Sequence, residues 1–174
     1  MSEGLRQAKQ PVSAALAGPY GHPFHPILVP VPIGAWVASL VFDIASHLVS
    51  DPRTLAQGSV WLIAIGVLGA LAAATVGFLD LFAIPTATRA FRTALVHMTL
   101  NLTVIVAYGV NFAWRYGDYA RPVAVPVGQL LLSVLSLIAL GVAGYLGGRL
   151  AYRFGVRVAE EATQAEGFTG AGTH

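Results

Sequence analysis

Five histidines and no cysteine bound the chemistry open to this chain of 174 residues. Without thiols it holds no disulfide, no Cys-ligated iron–sulfur cluster, no zinc ribbon and no covalently attached c-type haem. Imidazole is therefore its main transition-metal ligand. Two histidines lie close together in Gly21-His22-Pro23-Phe24-His25-Pro26, with further prolines at Pro30 and Pro32. Proline removes a backbone donor and restricts the residue before it. The stretch is therefore expected to stay extended or turn-like until about Pro32, folding back over the bundle mouth and holding His22 and His25 in a stiff frame. A third histidine, His97, stands one helical turn before Asn101. One His from a loop and one from a helix could supply both axial ligands of a b-type haem, with Arg149 to pair with a propionate. The same cluster suits a quinone head group, His acting as proton donor and Asp80 as relay. A plain metal site, a transport path, or hydrogen bonds that cap and pin helix ends are the other readings. Only His47 lies toward the opposite end, so at most one bis-His haem fits.

The elements that must position these residues are membrane helices. Hydrophobic residues make up 56% of the chain and charged residues 10%, with a mean hydropathy of +0.69. Soluble domains carry roughly a quarter charged residues, so this chain could not cover a water-facing surface, and a soluble enzyme is excluded. The ten Lys and Arg form no patch, and the net charge of +2 gives no footing for a nucleic-acid partner. No Asp, Glu, Lys, Arg or His occurs between Thr54 and Leu79 or between Pro122 and Gly148. Each run exceeds the roughly 20 residues that span a hydrocarbon core. Helices are the expected form, since lipid demands internal pairing of every backbone group.

The expected organisation is an N-terminal segment over 1–20, a four-helix membrane domain over 21–153 and a polar, disordered tail over 154–174. The helices are placed at about 26–48, 59–84, 93–114 and 123–150, the first retained because no cleavage site follows it. Their short connections force neighbours antiparallel, giving an all-α, up-down-up-down transmembrane bundle. Arg6, Lys9, Arg89, Arg92, Arg149, Arg153 and Arg157 fall on one side, and Arg53, Arg115 and Arg121 on the other. That asymmetry puts both termini in the cytoplasm, with the bilayer being the inner (plasma) membrane. Trp61, Trp114, Tyr116 and Tyr119 would form an aromatic belt at the outer interface.

His97, Asn101, Tyr108, Asn111 and Arg115 fall at offsets of 4, 11, 14 and 18, all within about 40° of one line on a helix. Such a stripe must face the bundle interior or a partner protein. The first helix carries Trp36, Ser39, Asp43 and His47 on one face. Asp43 is expected to clamp Arg115 as an ion pair, and His47 lies one turn away within reach of Asp43. Gly66, Ala70, Ala73 and Gly77 share a face of the second helix, with Asp80 at its end. Gly141, Gly144 and Gly148 repeat the small-residue spacing on the fourth, beside Tyr145 and Arg149. Close helix packing is the expected use of both. Topology then gathers His22, His25, Asp80, His97 and Arg149 at one end.

The strings GHPFHPILVPVPIGAWVASLVFDIAS and GFLDLFAIP followed by TRA, the His97/Asn101 helix and the closing GYLGGRLAYRFGV together resemble one bacterial family, the predicted membrane proteins called domain of unknown function 2231. The resemblance covers about Gly21 to Val156. It implies a four-helix membrane domain without an established activity. Some similar proteins carry a Rieske-type iron–sulfur domain after this region, which implies electron transfer with a separate redox partner here. His22, His25, Asp80, His97 and Asn101 carry over as motif positions without catalytic roles.

The expected function is thus a redox-linked membrane subunit, not an enzyme on its own, that binds haem b or quinone at a cytoplasmic-side histidine cluster. A structural or assembly subunit without cofactor, including a homo-oligomer formed through the polar stripe or a glycine face, is the alternative. A small transporter is weaker still, because no internal repeat is evident.

Overall fold

The structure is a computed structural model that describes residues 3–13, 18, 23–121 and 123–168. The described residues form seven helices and no strand: α1 (Glu3–Lys9), α2 (Phe24–Leu28), α3 (Pro30–Ala45), α4 (Arg53–Leu81), α5 (Arg89–Gly117), α6 (Val127–Tyr152) and α7 (Glu161–Glu166). Four spans are long and apolar enough to cross a membrane: Phe24–Ala45, Arg53–Leu81, Arg89–Gly117 and Val127–Tyr152. Packing runs α3 to α4, α4 to α5 and α5 to α6, and α6 closes the ring against α3. The result is the antiparallel four-helix bundle expected from the short connections.

The proline segment departs from expectation. It is helical from Phe24, with Pro23 at the N-cap and only Val29 interrupting the path into α3. Each proline sits where a helix tolerates it. Pro26 lies in the first turn of α2, and Pro30 and Pro32 open α3, where a missing N–H costs least. Val29 N still donates to His25 O at 3.1 Å, so the path stays nearly continuous. His25 thereby projects from a helix rather than a loop.

Two features set the register. Along α4, glycines receive the bulky side chains of α2 and α3 in antiparallel order: Gly58 meets Phe42, Gly66 meets Trp36, Gly69 meets Val31 and Gly77 meets His25. The indole of Trp36 stacks on Tyr108, with ring centroids 4.2 Å apart and planes 8° from parallel, linking α3 to α5 at the bundle centre. Trp36 Nε1 donates to Ile63 O (3.3 Å) and Tyr108 Oη to Ser133 O (3.3 Å), so both buried polar tips are satisfied. The α6 helix ends at Tyr152, and the turn after it passes through Gly155, whose φ of +68° suits glycine, while the N–H groups of residues 153–156 cover the last carbonyls. The chain then turns back. Arg157 N donates to Ala8 O (2.9 Å) and Lys9 Nζ to Ala159 O (3.3 Å), packing α1 and residues 153–159 together at one end of the bundle.

The glycine ladder yields a comparison with an internal control. A Cβ at Gly66 would overlap the Trp36 indole, whereas one at Gly144 meets nothing within 4 Å. Gly66→Ala should cost about 1–3 kcal/mol through overpacking and lower the melting temperature in detergent. Gly144→Ala should leave it level or slightly raised, and equal melting of the two variants would contradict the ladder.

Candidate functional site

At the end where α3 finishes and α4 begins, one guanidinium gathers all four long helices. Arg115 lies in the last turn of α5 and is 3% exposed; Asp43 of α3 is fully buried. The pair is bidentate, with Nη1 to Oδ1 at 2.6 Å and Nη2 to Oδ2 at 2.8 Å. Arg115 Nη1 also donates to Ser59 Oγ of α4 (2.9 Å), and Nη2 to Ser133 Oγ of α6 (3.0 Å) and Gln129 O (3.3 Å). Nε donates to Asn111 Oδ1 (2.9 Å), and the Asn111 amide in turn donates to Ser133 Oγ and Gln129 O. Every donor of the guanidinium is spent. That is what a buried ion pair requires to offset its desolvation, and the polar stripe of α5 faces inward as expected. His47 does not join Asp43. Its Nε2 donates to Val125 O at 3.0 Å, pinning the approach to α6, because the Asp43 carboxylate is already filled by Arg115 and Ser59.

At the opposite end the histidines pair. His25 of α2 and His97 of α5 have ring centroids 6.3 Å apart and planes 82° from parallel. Each ring packs against a glycine of a neighbouring helix. A Cβ at Gly77 would lie 2.9 Å from His25 Nδ1, and one at Gly147 would lie 3.0 Å from His97 Cε1. Each ring is also tethered in the same way: His25 Nδ1 lies 2.8 Å from Ala73 O, and His97 Nδ1 lies 2.8 Å from Ala143 O. A carbonyl only accepts, so both Nδ1 atoms carry a proton, and it is Nε2 that would bear the lone pair in the neutral tautomer. Asn101 Nδ2 donates to His97 O (2.8 Å) and sits 3.4 and 3.3 Å from the two ring nitrogens, off both lone-pair directions. Among the described residues no group of three or more His, Asp or Glu could hold a metal ion. The pair is a two-nitrogen set.

Of the residues gathered by topology, His25, His97 and Asn101 meet. Asp80, on α4 one turn past Gly77, interacts electrostatically with His25. His22 lies outside the described residues. Arg149 does not border the imidazoles. Gly147 faces His97, so Arg149 emerges roughly 160° further round α6, with its guanidinium carbon 5.4 Å above the Phe154 ring. The cation beside Asp80 is instead Arg157, whose Nε lies 3.0 Å from Oδ1. The sequence places Arg157 on this side but not beside Asp80, because it falls in the polar segment after the last span; the signal for the pairing is Gly155, a positive-φ glycine that turns the chain back after α6. Ser59, Ser133, Gln129 and Gly147 were also missed as site residues. They stand in runs that read as ordinary lipid-facing or packing sequence.

These features define a class: a four-helix membrane bundle braced by a buried ion pair at one end and presenting an imidazole pair at the other. The family model described as predicted membrane protein (DUF2231) matches residues 21–160, and the chain belongs to that family. No match was found among curated proteins or among solved structures.

The brace can be tested by removing one charge and then both. Arg115→Met leaves Asp43 buried without a counter-charge and should destabilise the bundle by about 3–5 kcal/mol, read from unfolding in mixed micelles. Asp43→Leu combined with Arg115→Met should recover much of that loss. A double variant as unstable as the single one would show that the charge pair is not what holds this end.

Proposed function

We propose that this membrane protein is a redox-linked subunit that binds a b-type haem through His25 and His97. The observation that carries the reading is the matched tether of the two rings, each Nδ1 held at 2.8 Å by a helix carbonyl. A carbonyl acceptor on Nδ1 fixes the tautomer and raises the basicity of Nε2, as it does for metal-ligating histidines generally. The two rings come from different helices with centroids 6.3 Å apart, so His25 and His97 together would hold the group. Two nitrogens fall short of a zinc or copper site but suit an iron whose other donors come with its own macrocycle.

When bound, the haem would supply one-electron transfer at a potential set by its surroundings. The protein's part is to hold the rings. The carbonyls of Ala73 and Ala143 orient them, and Gly77 and Gly147 leave room for them. The Asp80–Arg157 pair sets the charge beside His25 and ties the docked C-terminal segment to the site. Seven of the ten Lys and Arg lie at the histidine end, and Arg115 at the other is spent in its ion pair. This supports a cytoplasmic-side site and cytoplasmic termini in an inner (plasma) membrane. With no cysteine in these residues, an iron–sulfur electron partner, Rieske-type or other, comes from outside them.

Asp80 beside His25 favours a second reading, a quinone head group at the same imidazoles with the carboxylate exchanging the proton. Protein expressed with ample haem and purified in mild detergent should show a Soret band. His25→Ala and His97→Ala should each abolish it, and His47→Ala should keep it. A colourless protein would overturn the haem reading. Quinone recovered by solvent extraction from that protein, and missing from His97→Ala, would support the second; neither cofactor would leave a structural or assembly subunit.

A further inference from the structure

The face of α6 turned away from the imidazoles carries a second feature. Tyr145, Gly148, Arg149, Tyr152 and Arg153 line an open pocket of about 340 Å³. Two guanidinium groups border it and, among the described residues, no carboxylate does. Arg149 Nε is buried without a hydrogen-bond acceptor, and among the described residues neither Arg149 nor Arg153 has an ion-pair partner. A helix end would ordinarily repel an anion through its unpaired carbonyls. Here they are covered: Arg149 O accepts from Arg153 N and Phe154 N, Leu150 O from Val156 N and Ala151 O from Gly155 N.

The pocket opens onto an apolar groove. Gly141 and Gly144 have nothing within 4 Å of an added Cβ, and Gly148 meets only Tyr152 of its own helix at 4.0 Å. Gly141 and Gly144 thus pack against no other helix of the bundle, whereas Gly58, Gly66, Gly69, Gly77 and Gly147 receive side chains inside it. Alongside the groove run the exposed side chains of Leu131, Leu135, Ile138 and Val142. Tyr145 and Tyr152 are 71% and 93% exposed and flank the point where the apolar face gives way to the arginines. Tyrosine is enriched at that depth of a bilayer, and basic pockets at membrane-helix ends select anionic head groups.

We propose that this end of α6 is a binding site for an anionic phospholipid, its phosphate held by Arg149 and Arg153 and one acyl chain lying along the Gly141–Gly144–Gly148 groove. Free phosphate would have no use for the groove. A second copy related by an axis along the membrane normal would bring the same arginines to one level, where like charges oppose it. The proposal is independent of the imidazole pair.

Native mass spectrometry of the full chain in detergent, titrated with dioleoylphosphatidylglycerol or dioleoylphosphatidylcholine, tests it. The glycerol lipid should bind roughly tenfold more tightly or better. Arg149→Gln with Arg153→Gln should erase that preference. Gly148→Leu, which fills the pocket without changing charge, should weaken binding of the same lipid and keeps the test decisive if the double variant fails to fold. Equal binding of the two lipids, or no effect of either variant, would overturn the proposal. So would displacement of the lipid by millimolar inorganic phosphate, or efficient disulfide crosslinking of Gly144→Cys chains in native membranes, which would seat a second copy in the groove.

Discussion

The bundle depends on one buried guanidinium. Arg115 sits where water is excluded, and a lone charge there would be far costlier than any packing defect nearby. It is tolerated because Asp43 neutralises it and because Ser59, Asn111, Ser133 and the Gln129 carbonyl take up its remaining donors. These partners come from α3, α4, α5 and α6. A slide of any one helix by a residue would strand a donor or an acceptor in a low-dielectric interior. The ion pair therefore acts as a register pin more than as a source of stability, a role for which buried polar groups are well suited.

From that pin the register runs the length of the molecule. The glycines of α4 accept Phe42, Trp36, Val31 and His25 in turn, and the Trp36–Tyr108 stack ties the two helix pairs together midway. At the far end the same alignment sets His25 on Ala73 and His97 on Ala143. Two rings on separate helices thus acquire matching tethers, although nothing in their immediate sequence imposes it. The docked tail, through Arg157 on Asp80, adds a charge pair to this end. The two ends differ: one gathers four helices on a single ion pair, and the other brings two tethered imidazoles together.

Much of this was legible in the sequence. Two charge-free runs and two further apolar segments gave the four spans, and the i, i+4 and i, i+11 spacing on α5 gave an inward polar stripe. The pairing of Asp43 with Arg115 followed from placing two opposite charges at one end of a bundle. What failed had local causes. The prolines at 23, 26, 30 and 32 read as helix breakers, yet each falls at a cap or in a first turn, so His25 stands on a helix. His47 looked like a partner for Asp43, but proximity on one helix could not reveal that Arg115 and Ser59 would fill the carboxylate. Arg149 and Arg157 are both arginines near one helix end, and only the glycine turn at Gly155 decides which of them reaches Asp80. Small residues gave no hint of direction: Gly77 and Gly147 cradle rings, while Gly141 and Gly144 face outward.

The account stands on the two imidazoles being held by Nδ1 and presenting Nε2. Nitrogen-15 NMR of histidine-labelled protein in lipid bilayers at neutral pH reads this directly, with His25→Gln and His97→Gln assigning the signals. A protonated Nδ1 and a bare or metal-bound Nε2 at both residues is the predicted result. A proton on Nε2 at either ring would contradict it.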